Sequence, residues 1–175
     1  MLRVKLLTGR HCCEHLIVTE LREEHLREAY IVEVESFERP YPWEYFRFIA
    51  ALSSGYSLIA ICNGKIAGFV MAVPYEGGLA HIANMAVTPE YRRCKVGSAL
   101  LSSIEYLLEN NGFSLVFLET WVSNHAARRF YEAHGYRAIR IIPGYYEWGE
   151  AAVVYVKLLR QGIIGRDVPV LSGSL

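Results

Sequence analysis

Arg92, Arg93 and Lys95 stand in a turn between an apolar strand that ends at Val87 and an amphipathic helix that opens near Gly97. The first turn of a helix carries backbone N–H groups with no internal partner, together with the positive end of the helix dipole. Basic side chains beside such a terminus make a seat for a phosphorylated ligand. Two further residues invite chemistry. Glu119 lies on a strand that is apolar around it, where a carboxylate is expensive unless it is paired or functional. His81 lies on the strand before the basic turn, and imidazole has an intrinsic pKa suited to moving protons near neutrality. Taken alone, a strand histidine is better read as a satisfied structural residue.

These residues need a scaffold. His15 to Val18 reads as a short strand, and Thr19 is the expected N-cap of a helix carrying Leu21, Leu26, Ala29 and Val34. Glu38 to Trp43, with Pro40 and Pro42, breaks regularity, and a second helix is expected over Glu44 to Leu52. Tyr56 to Cys62 and Lys65 to Val73 are β-like runs joined by Asn63-Gly64, a dipeptide that tolerates positive φ at both positions and so signals a hairpin. Pro74 to Gly78 makes another turn before the strand Leu79 to Val87.

After the basic turn, Leu100, Leu101, Ile104, Leu107 and Leu108 form one helical stripe closed by Asn110-Asn111-Gly112. Phe113 to Trp121 is a buried strand. Ser123-Asn124 caps a short helix that ends at His134-Gly135, and strands follow over Tyr136 to Ile142 and Ala151 to Leu159. The order β-α-α-β-β-β-α-β-α-β-β predicts an α/β (α+β) mixed sheet with helices on both faces. Residues 1–14 read as an N-terminal extension, an extra strand or loose arm. Residues 15–159 read as one domain and 160–175 as a tail.

The chain has 175 residues, 53% hydrophobic, and Lys+Arg 18 balances Asp+Glu 18. That length and apolar content fit one well-cored domain. Zero net charge disfavours direct nucleic-acid or membrane binding. No apolar run is long enough to span a bilayer, and Met1 to Arg10 lacks the core of a signal peptide. Cys12, Cys13, Cys62 and Cys94 show neither a disulfide-framework nor a zinc-site layout, so reduced thiols in the cytoplasm are expected. The histidines have no metal-like spacing, and no metal is expected. His11, His15, His25, His125 and His134 read as surface or capping groups.

Arg92-x-x-Lys95-x-Gly97-Ser98-Ala99 resembles the Arg/Gln-x-x-Gly-x-Gly/Ala signature of the GNAT acetyltransferases. Leu118-Glu119-Thr120-Trp121-Val122-Ser123-Asn124 and Ala126-Ala127-Arg128-Arg129-Phe130-Tyr131-Glu132-Ala133-His134-Gly135-Tyr136 resemble the following segments of RimI-like and NatA-like protein N-terminal acetyltransferases. The resemblance runs from about His15 to Leu159. It implies the GNAT fold, a mostly antiparallel central sheet of about seven strands with helices on both faces and a splayed strand pair. It implies acetyl-CoA as co-substrate, with the pyrophosphate on the N–H groups of Arg93, Cys94, Lys95, Val96, Gly97, Ser98 and Ala99, beside Arg92. The strand Met85-Ala86-Val87 would pair with the pantetheine arm, and Asn124 and Tyr131 would also touch the coenzyme. Lys95 replaces the usual glycine. If that position needs positive φ, lysine costs roughly 1 kcal/mol, which an ammonium near a phosphate can offset.

The resemblance also implies roles. Amide formation needs an amine to lose a proton, an oxyanion to be held, and a thiolate to gain a proton. Tyr131 would protonate the thiolate, and Glu119, His81 or both would serve as base. The acceptor site would lie between the loop of Phe37, Arg39 and Tyr41 and the loop of Tyr145 and Tyr146. Arg39 stands near where NatA-like enzymes carry a selective glutamate. The expected reaction is direct acetyl transfer to the α-amine of a protein or peptide N-terminus, in a ribosome-associated setting, by a monomer or homodimer. A small-amine acetyltransferase and a non-catalytic acetyl-CoA-binding regulatory subunit are the alternatives.

Overall fold

The computed structural model describes residues 2–4, 12–13 and 15–159; the tail expected over 160–175 and most of the N-terminal extension lie outside them. The strands are β1 (Leu2–Val4), β2 (Leu16–Glu20), β3 (Ser57–Cys62), β4 (Lys65–Tyr75), β5 (Leu79–Val87), β6 (Leu115–Trp121), β7 (Arg137–Ile142) and β8 (Ala152–Leu158). The helices are α1 (Leu26–Ser36), α2 (Trp43–Leu52), α3 (Val96–Asn110) and α4 (His125–Ala133). One sheet holds every strand in the order β1-β2-β3-β4-β5-β6-β8-β7. Beside the seven strands expected of the domain, β1 pairs antiparallel with β2 from Leu2↔Val18 to Val4↔Leu16, an extra strand being one of the two readings of residues 1–14.

Two apolar clusters cover the two faces of the sheet. Leu100, Leu101, Ile104 and Leu108 of α3 pack with Val116, Leu118 and Tyr131 on one face. Leu26, Ala29 and Val32 of α1 pack with Phe46 and Ile49 of α2 against Phe69 and Met71 on the other. The Asn63-Gly64 hairpin forms as expected, with φ of 49° and 83°. Thr19 is not a helix cap. It pairs with Ile59 inside β2, and a 3₁₀ turn over Glu23–His25 precedes α1, with His25 Nδ1 accepting the Arg22 N–H. Strand pairing outcompetes a local cap there. Pro74 likewise sits within β4, not in the turn that follows it.

The expectation of four reduced thiols is overturned. Cys12 is bonded to Cys94, 82 residues away, and Cys13 to Cys62, 49 residues away. Spacing motifs detect local pairs, whereas these partners meet only after the sheet has formed. The bonds tie residues 12–13 to the basic turn and to the end of β3.

Candidate active site

β5 and β6 form the sheet's one parallel pairing among the described residues. It comprises Leu79↔Leu115, Ala80↔Val116 and His81↔Phe117, and then ceases. Beyond His81 the strands diverge, and the backbone of Ile82–Val87 has no strand on that side. β5 is paired on its other edge with β4, where the register passes from Met71↔Asn84 to Ala72↔Ile82. Ala83 is the extra residue of a bulge. A bulge shifts the alternation of side chains by one. Ala80, Ile82, Met85 and Val87 therefore pack in the α3 cluster, while Ala83 and Ala86 pack in the α1/α2 cluster.

The candidate catalytic groups gather where β5 and β6 part. His81 Nε2 lies 2.6 Å from Glu119 Oε2 at the point where the strands part. An ionised carboxylate has no proton to give, so Nε2–H donates, and in the neutral ring Nδ1 keeps the lone pair. The His81 ring stacks on Phe117 at 4.7 Å and 8°, which holds it flat. Both side chains are mostly buried, at 21% and 15% exposure. Glu119 is thus paired, which answers the difficulty its sequence context raised.

Tyr131 comes from α4 on the opposite face of the sheet. Its hydroxyl points at Met85 Sδ, 3.9 Å away, a weak contact for a buried phenol. Burial pushes the pKa of Tyr131 well above that of a free phenol. The group is a retained O–H donor at the gap, already facing a sulfur acceptor.

The basic turn has the backbone expected of an anion seat. Arg93 and Lys95 adopt φ of 65° and 62°, so lysine does occupy a left-handed position. Lys95 is the N-cap of α3. No group of the described residues accepts the N–H groups of Arg93, Val96, Gly97 or Ser98. The cradle is narrower than expected, because the Cys94 N–H donates to Tyr91 O and the Ala99 N–H to Lys95 O. The Cys94 thiol is also lost to the disulfide, so it has no thiolate character to offer. Arg92 is committed elsewhere. It donates from Nε to Val87 O at 3.2 Å and from Nη2 to Ser36 O at 3.0 Å. The Val87 carbonyl, also bonded by the Ser36 hydroxyl, is therefore engaged. Asn124 caps α4 through its Oδ1, which accepts the Ala127 N–H at 3.0 Å.

The two expected acceptor loops converge on Trp121, the last residue of β6. Phe37 approaches it at 6.5 Å, Tyr146 at 6.0 Å and Trp148 at 5.4 Å. The Arg39 guanidinium lies over the Trp148 ring at 4.7 Å, joining the loops. Tyr145 and Tyr146 stand edge to face at 5.1 Å, and Tyr41 stands against Tyr45 at 4.8 Å. Burial first, and then the charge of Glu119 among others, raises the pKa of all three site tyrosines, with Tyr41 pushed up to about 12. They remain hydrogen-bond donors near neutral pH.

Sequence reasoning missed several contributors. Glu150 accepts the Ser123 N–H at 3.0 Å and the Trp148 Nε1–H at 3.1 Å, and so shapes the hairpin lip. His134 receives no more than a capping role from sequence, yet its Nδ1–H donates to Phe130 O at 2.7 Å. Its Nε2 then takes the Ser98 hydroxyl at 2.9 Å, joining α4 to the first turn of α3. Such pairings join residues distant in the chain and leave no local pattern. Among the described residues no cluster could hold a metal ion, and no helix is long and apolar enough to cross a membrane.

Known proteins resemble this chain in sequence and fold. Residues 18–136 match the model of the acetyltransferase (GNAT) family. An uncharacterized N-acetyltransferase of Methanocaldococcus jannaschii is 32% identical over 143 residues, 81% of this chain and 91% of its own. The [ribosomal protein bS18]-alanine N-acetyltransferase of Escherichia coli is 31% identical over 130 residues, 74% of this chain and 86% of its own. The crystal structure of Ard1 from Thermoplasma volcanium superposes with a TM-score of 0.79 at 23% identity, covering 83% of this chain and 98% of that one, and so shares the fold. The parted strands, the open N–H cradle and these matches have one reading: the chain belongs to the GNAT family and is an acetyl-CoA-dependent N-acetyltransferase.

Proposed function

We propose that the chain acetylates the α-amino group of protein N-termini. The observation that carries this reading is the placement of His81–Glu119 and Tyr131 on opposite faces of the gap between β5 and β6. The coenzyme enters from the α3/α4 side, with its pyrophosphate on the N–H groups around Arg93 and Gly97. The acceptor enters from the α1/α2 side, through the aromatic slot between Tyr41 and Tyr146. The amine meets the thioester in the gap.

The chain's own groups then divide the work. Glu119 holds the His81 ring so that Nδ1 takes the amine proton, directly or through a water. The amine nitrogen bonds to the acetyl carbon, and unpaired N–H groups of β5 stabilise the oxyanion. The C–S bond breaks, and the Tyr131 O–H protonates the departing thiolate. An α-amine has a pKa of about 8, so one proton transfer near neutrality suffices. The tyrosine hydroxyls of the slot suit the carbonyl groups of an extended peptide, and the E. coli relative's own name specifies an alanine of a ribosomal protein.

This work suits the cytoplasm, where nascent chains emerge and a ribosome-associated monomer or homodimer would meet them. Disulfides are uncommon in that compartment except in hyperthermophiles. The test is mass spectrometry of a peptide library incubated with the chain and acetyl-CoA, beside polyamines and free amino acids. Acetylation of peptide α-amines is expected. Turnover confined to the small amines overturns the reading.

A further inference from the structure

Glu33 is the most deeply buried charged side chain among the described residues, at 1% exposure, and no step above uses it. It projects from the inner face of α1. Its Oε1 accepts the Tyr41 N–H at 2.9 Å, and its Oε2 accepts Asn84 Nδ2–H at 3.0 Å. The two partners belong to the two halves of the site. Tyr41 is on the acceptor lip, and its carbonyl is held in turn by the Tyr30 hydroxyl at 3.1 Å. Asn84 is on β5 at the bulge, next to the Met85 that faces Tyr131.

We propose that Glu33 is a positioning residue for the acceptor: one buried carboxylate clamps the Tyr41 lip to the coenzyme strand and sets the distance between slot and acetyl group. The inference rests on the acceptor reading above. A carboxylate offers two acceptor oxygens from one side chain, which is what a donor on each side requires. Burying it is expensive, and burial raises its pKa against the opposing effect of both hydrogen bonds. A side chain kept for packing alone would be apolar. The lip is ordered before the acceptor arrives, so binding does not bear the entropy of ordering it. Glu33 has no hydrogen bond to His81, Glu119 or Tyr131, so the chemical step does not depend on it.

The test uses the full chain, acetyl-CoA and a peptide drawn from the library. Glu33→Ala leaves the Tyr41 N–H without its partner, and the peptide KM should rise about tenfold. The kcat and the calorimetric Kd for acetyl-CoA should stay within about twofold, because the reacting groups and the basic turn are untouched. Glu33→Gln should return KM to near the parent value. Its amide oxygen accepts from Tyr41, and its NH₂ donates to an Asn84 amide that has flipped. Asn84→Ala keeps the Tyr41 bond, releases the strand, and should raise KM to a smaller extent.

A folded Glu33→Ala chain with unchanged KM, or one that loses kcat at constant KM, overturns the proposal. Should that variant not fold, an Asn84→Ala chain with the parent KM overturns it instead. The two readings fail separately: a parent chain that acetylates no peptide α-amine defeats the functional reading, whereas these variants are judged only on a peptide the parent accepts.

Discussion

His81 Nε2 and Glu119 Oε2 lie 2.6 Å apart, His81 on the last paired rung of β5 with β6 and Glu119 two residues past that rung, where the two strands separate. Groups this close act as a unit, so their substitutions should not add. His81→Ala and Glu119→Gln should each lower kcat/KM for a peptide by about 10²-fold, the lower end of the usual range for general base catalysis. The double variant should be little slower than the worse single one. Raising the pH toward 9 should partly restore all three, because more of the α-amine is then already neutral. Parent-like kcat/KM at pH 7 in the double variant would show that the proton leaves without either group.

Tyr131→Phe keeps the ring in its buried place and removes the O–H. Under single-turnover conditions the rate should fall about 10²–10³-fold, with acetyl-CoA affinity nearly unchanged. Because burial raises the pKa of the phenol, the parent enzyme should show no loss from Tyr131 ionisation up to pH 10. An alkaline decline that vanishes in Tyr131→Phe would contradict that assignment.

Gly97 is the second residue of α3, its N–H has no acceptor among the described residues, and a Cβ there would stand 3.4 Å from the Phe130 ring. Gly97→Asp adds that contact and a negative charge at the proposed phosphate seat. Titration calorimetry should show acetyl-CoA binding weakened about 100-fold or more, the scale of a lost charge-assisted hydrogen bond or two. Equal affinity would remove the coenzyme from this turn.

Both disulfides close long loops. In the chain-entropy model each contributes about 4 kcal/mol. Alkylation followed by mass spectrometry should find the four cysteines blocked until a dithiol reductant is added, and reduction should lower the Tm. A fully alkylated chain without reductant would show that the thiols are unpaired in solution.

Burial holds the Glu33 carboxyl above its ordinary value of 4.5. Between that value and the raised one, the folded chain binds a proton that the unfolded chain lacks, so this group's contribution falls as pH rises through the window. Glu33→Gln has no such proton. Denaturant titrations should show the variant gaining on the parent as pH rises above 4.5. A difference independent of pH would mean that the carboxyl titrates normally.

The sequence by itself determined the order of elements and the left-handed basic turn before α3, and it nominated His81, Glu119 and Tyr131 as candidate reactive side chains. These depend on local rules: period and punctuation for the strands and helices, Asn63-Gly64 for the hairpin, and a basic turn before an amphipathic helix for the anion seat. Lys95 shows how far such rules reach, since its left-handed φ follows from the turn it replaces glycine in. Only the tertiary structure decided that His81 and Glu119 touch, because residues 38 positions apart meet through strand register. The bulge at Ala83 likewise belongs to the pairing of β4 with β5, and it turns Asn84 toward α1 and Met85 toward α3. The pairing of Cys12 with Cys94, the capture of Arg92 by the Val87 carbonyl and the clamp at Glu33 have the same origin. Each is a short-range bond between groups that the chain brings together only when the sheet closes, and no spacing along the sequence encodes it.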